Sequence, residues 1–324
     1  CLAILETGSA DAPFSGEDAE QKAALVALEG YAARLRAGEL VGQSNHVPPS
    51  AILSDGEVAK FLRRCSTTYV CQHEPRLLYK QMLLTQSVAG TEDVAVEFED
   101  GYEYGSHNGA ATLITVALGD SKPRRALQGT LATLDMHGLQ VERVLVDMIG
   151  DPPSDKPGLP SAGVTLVRAI VRSPAGAVAD NTQLANDLRR FKWLDDSALS
   201  LAAAHPSLGL ERAESTAALA TLSLALLDHP LLSRNNMLSL LERPAFAPQL
   251  AALSDVFAAR FDPTSPMDDA AFGAAIDDFD KSVAVGFQAE ESRSLLHAMG
   301  RCLRHTMRTN APLAESRRAL ALRL

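Results

Sequence analysis

The sequence has little positive charge and few cysteines, and both shortages exclude classes of protein. Its 324 residues contain 30 Lys and Arg against 40 Asp and Glu, which gives a formal net charge of −10. Nucleic-acid binding needs a clustered basic face, whereas the longest basic runs here are pairs, among them 124–125 and 189–190. We therefore expect no nucleic-acid partner. Four cysteines in a chain of this length do not make a disulfide framework.

Long apolar runs are missing as well. No run approaches the roughly 20 residues needed to span a bilayer, and the opening CLAILETGSADAP lacks the basic region of a signal peptide. The sequence therefore predicts no membrane partner and an intracellular protein, cytoplasmic or mitochondrial. Because the chain opens with Cys1 rather than methionine, we expect its N-terminus to be incomplete.

The motifs of common active sites are also absent. The sequence contains no GxGxxG after a strand, no Walker A loop, no HExxH and no GxSxG. The glycine-rich GYEYGSHNG precedes a strand, so we interpret it as a surface loop. His297 and His305 are eight residues apart and would need further ligands to hold a metal. These absences predict no catalytic residue, no metal site and no cofactor in this segment.

Two weaker signals could indicate catalytic groups. The adjacent carboxylates at 195–196, 268–269 and 277–278 diverge by about 100° on a helix, which favours helix caps and solvated surface over an acid–base pair. Cys65 and Cys71 are six residues apart, the wrong spacing for a CxxC pair, and His73 follows them closely. A Cys/His nucleophile there stays open at this point.

Periodicity divides the first 90 residues into two parts. Residues 1–50 form a loose N-terminal piece with a helix in QKAALVALEGYAARLRAGEL and a proline-containing linker. Residues 51–90 form a helical segment in which Ser54 or Asp55 caps a helix to about residue 65. A further helix is predicted from about Pro75 to Ser87.

The middle of the chain changes period. Strands are predicted at 94–98, 111–118, 139–149 and 164–172. A helix between the second and third strands has Pro123 in its first turn and Gly138 as its stop, and another helix follows in NTQLANDLRRFKWL. From 111 onward the order is strand, helix, strand, strand, helix, which is most of a ferredoxin-like βαββαβ unit. The segment 94–98 could supply the remaining strand. The predicted class is α+β, with this unit at 91–195.

The last third of the sequence is helical. Residues 196–310 are predicted as a helical domain, and RRALALRL within 311–324 alternates like the start of a strand. Apolar residues at helical spacing mark the inward faces of two helices. They are Phe272, Ile276, Phe279 and Val283 in one, and Leu295, Met299 and Leu303 in the other.

The order of motifs resembles the part of the large NAD-dependent glutamate dehydrogenases that precedes their catalytic domain. The segments that carry the likeness are FLRRCSTTYVCQHEPRLLYKQMLL, ATLITVALGDSKPRRALQGTLATLDMHGLQVERVLVDMI, DLRRFKWLDD and FAARFDP with LLHAMGRCLRHTMRTN. The second is similar to an ACT-type βαβ. The likeness covers residues 55–324 and implies a regulatory and assembly portion of a homo-oligomeric enzyme that deaminates glutamate with NAD.

The resemblance also implies an effector site at the loop LGDSKPRRAL. Asp120 and Pro123 match the family's acidic and proline positions, and Ser121 and Arg124 complete the candidate site for an amino-acid effector. Arg124 stands where the family has a glycine that lets a ligand approach the backbone, so its side chain narrows that approach. A purely structural or oligomerising role of the loop is the alternative.

The resemblance places catalysis outside this segment. TMRTN and RRALALRL resemble the segments that lead into the family's catalytic core, which would lie beyond Leu324. No catalytic residue is therefore assigned in this sequence, and NAD would bind to the full-length enzyme. Arg308 and Asn310 are candidates for an interface with that core. The alternative for both is a helix terminus, with Asn310 in the left-handed conformation.

Two other functions stay open on the sequence. One is a stand-alone ACT-type protein that senses an amino acid or binds a partner without catalysis. The other is a helical scaffold whose ferredoxin-like unit dimerises through an exposed sheet edge.

Overall fold

The structure is a computed structural model. It describes residues 19–37, 55–71, 73–102, 111–150, 163–172, 181–225, 227, 233–313 and 319–323. Helices and a four-stranded antiparallel sheet make it a mixed α+β protein, as the sequence predicts. The chain divides into two compact units, Cys1–Leu134 with Gly138–Lys192 and Asp135–His137 with Trp193–Leu324. The N-terminal end, the linker, most of GYEYGSHNG and the proline-rich connection after residue 150 lie outside the described residues.

A single sheet organises the first unit. Its strands are β1 (Val94–Tyr102), β2 (Ala111–Gly119), β3 (Gln140–Ile149) and β4 (Val164–Arg172). They lie in the order β1-β2-β4-β3, and every neighbouring pair is antiparallel. The segment predicted at 94–98 therefore forms a strand, and it lies at the edge beside β2.

A bulge in β3 explains an uneven spacing in the sequence. Val141, Val144, Val146 and Met148 are separated by three, two and two residues, whereas side chains on one face of a strand recur at every second residue. The register shifts between Val141 and Arg143, which inserts one extra residue. The partners of the four on β4 are then Val171, Ala169, Val167 and Thr165, which are alternate residues. All four side chains consequently share a face, on which Val144 and Val146 are buried and Val141 and Met148 are half-buried.

Helices cover the sheet of the first unit. They are α1 (Ala19–Arg36), α2 (Asp55–Leu62), α3 (Thr67–Cys71), α4 (Pro75–Val88), α5 (Pro123–Met136) and α6 (Asn181–Arg190). The helix predicted to about residue 65 ends at Leu62, and the short helix α3 was not predicted. Leu78 and Met82 of α4 share a core with Ala117 and Leu166 of the sheet. Every residue of β2 is buried, so both of its faces are covered.

α5 begins and ends as predicted, and α6 begins as predicted at Asn181. Pro123 is the first residue of α5, and the helix stops just before Gly138, whose φ of 67° favours glycine. A 3₁₀ turn, Phe191–Trp193, follows α6. A Cβ at Gly129 of α5 would lie 2.1 Å from the Phe191 ring, so the missing side chain lets this ring approach the helix.

The second unit is built of helices. They are α7 (Asp196–Ala204), α8 (Gly209–Leu224), α9 (Arg234–Leu241), α10 (Ala247–Arg260), α11 (Asp269–Gly286) and α12 (Glu290–His305). The apolar residues predicted to face inward on α11 and α12 are buried in a common core. Among the described residues, no helix combines the length and the apolar character needed to span a membrane.

Caps and surface ion pairs account for the adjacent carboxylates, which confirms the interpretation from sequence. Asp195 and Asp268 each accept a hydrogen bond of 2.8 Å from a backbone N–H in the first turn of α7 and α11. Asp277 pairs with Arg304 at 2.5 Å. Asp278 pairs with the lysine three residues later at 2.8 Å.

A two-stranded ribbon follows α12. Its strands are β5 (Arg308–Thr309) and β6 (Leu322–Arg323), which pair antiparallel. The segment that alternates like a strand therefore pairs with residues just after the last helix. Between the two strands, Ala311–Leu313 forms a 3₁₀ turn.

Candidate functional site

The loop from β2 to α5 holds the residues proposed for an effector, Asp120, Ser121, Pro123 and Arg124. Asp120 has a φ of 42°, in the left-handed region, and is the one non-glycine with positive φ among the described residues. Its N–H donates to the Gly163 carbonyl oxygen at 3.4 Å. The Ser121 carbonyl oxygen accepts from Thr165 Oγ1 at 2.7 Å. The start of β4 thus fixes the loop backbone, while Arg124 lies exposed.

Neighbouring segments close one side of this loop. A Cβ at Gly119 would lie 2.2 Å from the Thr91 carbonyl oxygen and 2.5 Å from that of Val88. Lys192 Nζ donates to the Glu92 carbonyl oxygen at 2.5 Å and to that of Gly119. The structure therefore fixes a lysine beside the loop that the sequence did not single out.

A second group of polar side chains lies between α3, α4 and the sheet. This group, the Arg168 cluster, consists of Tyr69, His73, Gln81, Asp147 and Arg168. The Arg168 side chain is 4% exposed. Its guanidinium donates to the Asp147 carboxylate and to His73 Nε2 and lies 5.4 Å from the centre of the Tyr69 ring. Tyr69 Oη donates to Gln81 Oε1 at 2.5 Å.

The strand register brings the charged members of the cluster together. Leu145 lies directly opposite Arg168, so Asp147 is a diagonal neighbour on the same face. Leu166, two residues before Arg168, packs in the core shared with α4, and alternate residues face the same side. Arg168 therefore points toward α3, which carries Tyr69, and toward the connection from α3 to α4, which carries His73.

Burial sets the protonation states of the cluster. Burial, and next the charge of Arg168, lowers the pKa of His73 from 6.5 to about 4. His73 Nδ1 lies 2.5 Å from the Tyr69 carbonyl oxygen, so Nδ1 carries the proton and Nε2 accepts from Arg168. Burial raises the pKa of the Tyr69 phenol well above 10.

These states limit what the cluster can do chemically. At neutral pH it holds a neutral imidazole, a neutral phenol and one ion pair. General acid–base catalysis is most effective when the pKa of the group lies near the working pH, and neither His73 nor Tyr69 meets that condition. The arrangement is suited to fixing helices on a sheet.

Cys65 does not pair with His73 in the described contacts. The Cys65 thiol donates to the Phe61 carbonyl oxygen at 3.3 Å, and burial raises the pKa of this thiol, which keeps it protonated and unreactive. His73 contacts Tyr69 and Arg168 instead. The Cys/His hypothesis gains no support from this geometry.

One sequence signal could have located the Arg168 cluster. Arg168 stands in the middle of the apolar strand VTLVRAIVR, and arginine is almost never fully buried unless it is paired. A buried partner was therefore required, although the sequence does not say that Asp147 and His73 supply it.

Arg308 and Asn310 lie in the C-terminal ribbon. The prediction that they end the last helix is wrong, because α12 ends at His305 with Thr306 as its extended C-cap. Arg308 is exposed on β5, directly opposite Arg323. The Asn310 side chain instead holds the returning chain: Nδ2 donates to the Ala319 carbonyl oxygen at 2.9 Å, and Oδ1 accepts from the Ala321 N–H at 2.7 Å.

A search for metal ligands and two comparisons with known proteins gave no match. In the part of the chain that the structure describes, no three His, Cys, Asp or Glu side chains come together as a metal site would require. The sequence matches no protein-family model and no curated protein.

Proposed function

We propose that the chain is the regulatory and assembly portion of an NAD-dependent glutamate dehydrogenase, which oxidatively deaminates L-glutamate to 2-oxoglutarate and ammonia. The observation that carries this proposal is the strand arrangement. A strand–helix–strand–strand–helix run forms an antiparallel sheet in the order β1-β2-β4-β3, and β1 from earlier in the chain completes it. This agrees with the ACT-type, ferredoxin-like unit that the resemblance implies.

In this proposal the segment regulates and assembles, and catalysis lies elsewhere. NAD and the catalytic residues belong to a core beyond Leu324, and Arg308 and Asn310 contribute to the interface with it. The full enzyme is a homo-oligomer. Within the Arg168 cluster, the pKa of His73 lies well below neutral pH and that of Tyr69 well above it, so neither group is suited to general acid–base catalysis there.

The proposed effector is an amino acid bound at Asp120, Ser121, Pro123 and Arg124. The first turn of α5 offers the positive end of a helix to its carboxylate, and Lys192 is held beside the same loop. Arg124 lies exposed at the second position of α5, where the family's glycine would leave the backbone open.

Reading the native coding sequence past the codon for Leu324 tests the enzyme assignment. A frame that runs on into a dehydrogenase core with a Rossmann domain supports it. A stop codon at that point overturns it and favours a stand-alone ACT-type protein that senses an amino acid or dimerises.

Thermal unfolding with each of the twenty amino acids tests the effector. A ligand at 100 times its Kd stabilises the folded state by about 2.7 kcal/mol. We expect Arg124→Gly to strengthen the response to the active amino acid and Arg125→Gly, the same change one residue on, to leave it unaltered. No stabilisation by any amino acid, in the wild type or in Arg124→Gly, would leave the unit a structural role alone.

A further inference from the structure

A pocket between α8 and α10 of the second unit lies apart from the sites described above. This feature, the α8–α10 pocket, has a volume of about 320 Å³, which falls at the lower end of the roughly 300–1,000 Å³ of small-molecule sites. Four of the residues that line it are at most 9% exposed, so the pocket is a recess in the fold rather than open surface. They are Ser215 of α8, Ser254 and Phe257 of α10, and Ala311.

The floor of the pocket is suited to an apolar group. Phe257 and Phe261 form an aromatic wall, with 5.1 Å between their ring centres. The Ser215 and Ser254 hydroxyls donate to carbonyl oxygens three residues earlier in their own helices, at 3.0 and 2.9 Å. Because both hydroxyls already have acceptors, an apolar group on the floor would leave neither donor without a partner.

Asp262 places a carboxylate at the same pocket. Its Oδ1 accepts hydrogen bonds from the Thr264 N–H and hydroxyl, each at 2.7 Å, and from the Ser265 N–H at 3.2 Å. These hydrogen bonds lower the pKa of Asp262, so the carboxylate is ionised at neutral pH. Its Oδ2 accepts no hydrogen bond from the described residues, which leaves one carboxylate oxygen available to a ligand.

The segment that carries Asp262 is tied back to α10. The Met267 N–H donates to the Ala259 carbonyl oxygen at 2.8 Å. Arg260 Nη1 donates to the Met267 carbonyl oxygen at 2.7 Å. These bonds close the turn that follows α10 and hold the carboxylate in place before any ligand binds, which reduces the entropy lost on binding.

The other charged groups at the pocket already have partners. Arg212 forms an ion pair of 2.8 Å with Asp255, and Glu211 has an interaction of its own. Among the described residues that line the pocket, the charge that remains for a ligand is therefore the negative charge of Asp262. The net charge of the whole chain, −10, also attracts cations. Both the local and the overall charge consequently favour a cation over an anion.

From these features we propose that the α8–α10 pocket binds a small organic ammonium with an apolar body. The ammonium group donates to Asp262 Oδ2, and the apolar body lies against Phe257 and Phe261. Hydrogen bonds between two charged groups are stronger than neutral ones, so the charged end selects among ligands that share a body. This inference does not depend on the proposed function, because it uses none of the residues assigned there.

NMR titration of the full chain with benzylamine tests the proposal, with benzyl alcohol and phenylacetate as comparison ligands. The three share an aromatic ring and carry a positive, a neutral and a negative end. We expect saturable binding of benzylamine at least tenfold tighter than that of either comparison ligand. Asp262→Asn, which keeps the Oδ1 acceptor, should weaken benzylamine binding at least tenfold. Asp278→Asn, the same change at an exposed position of α11, should alter it less than twofold.

Filling the pocket gives a second, independent variant. Ala258 lines the pocket from an exposed position of α10, so Ala258→Leu should abolish benzylamine binding without unfolding the chain, since leucine is a good helix former. Ala252→Leu is the matched control, because Ala252 is exposed on the same helix and does not line the pocket. Any of three results would overturn the proposal: no saturable binding of benzylamine, equal binding of benzyl alcohol or phenylacetate, or wild-type affinity in Asp262→Asn or Ala258→Leu.

Discussion

Replacing Asp147 by asparagine should destabilise the first unit by about 3 kcal/mol. Removing one partner of a buried ion pair costs about 3–5 kcal/mol because the other charge is left uncompensated. Arg168 is 4% exposed, whereas the Asp147 side chain is 16% exposed, which places the expected cost at the lower end. Arg168 Nε is already buried without a hydrogen-bond partner among the described residues, so the guanidinium has few other ways to offset the loss.

An exposed ion pair provides the matched control. Asp277→Asn makes the same chemical change in the pair with Arg304, whose side chains are 60% and 42% exposed. Exposed pairs contribute about 0–1 kcal/mol. We therefore expect Asp277→Asn to cost less than about 1 kcal/mol, and the difference between the two variants isolates the effect of burial.

The assay must follow the first unit by itself, because two compact units need not unfold in one transition. Hydrogen exchange under increasing urea, read by mass spectrometry on peptides from β4, reports the free energy of opening at Arg168. A cost for Asp147→Asn no greater than that for Asp277→Asn would refute the argument that Arg168 is held in a low-dielectric environment.

A double variant separates the charge from the packing. Asp147→Leu with Arg168→Met removes both charges and keeps apolar volume, and such replacements of buried pairs are often neutral or stabilising. We expect it to cost less than Asp147→Asn alone. A larger cost would mean that the contacts of Arg168 with His73 and with the Tyr69 ring, rather than the uncompensated charge, dominate the stability of this region.

Features fixed by neighbouring residues could be predicted from the sequence. Pro123 and Gly138 delimit α5 because each has a local backbone preference that no tertiary contact needs to supply. Asp195 and Asp268 cap helices for the same reason. The four strands of the sheet were visible as short apolar, β-branched runs, and even the bulge in β3 left a trace in the spacing of its valines.

Features that depend on distant pairing could not be predicted. His73 and Arg168 are 95 residues apart, and only the strand register and the seating of α3 and α4 bring them into contact. Asn310 was misassigned because asparagine is common where helices end, whereas here its amide bonds a backbone 9 to 11 residues later. Lys192 beside the β2–α5 loop likewise depends on a contact across 73 residues.

Three further predictions follow from single contacts. Gly129→Ala should destabilise the first unit by about 1–3 kcal/mol in urea unfolding, because its Cβ would lie 2.1 Å from the buried Phe191 ring, and a neutral or stabilising change would show that the ring moves aside freely. Asn310→Asp should retain slow exchange of the Ala321 amide, whose acceptor is Oδ1, while Asn310→Ala should speed it; equal rates in the two variants would contradict the assigned hydrogen bond. His73→Gln should change how stability depends on pH. The folded pKa of His73, about 4, is below its ordinary value of 6.5, so the unfolded chain binds more protons between these values and the stability contributed by neutral His73 is lost as pH falls from 6.5 through 4. At 1.36 kcal/mol for each unit of pKa, this contribution is at most about 3 kcal/mol. The stability of the wild type should therefore fall more steeply than that of His73→Gln between pH 7 and pH 4, and parallel curves would mean that His73 is not held neutral by burial and by Arg168.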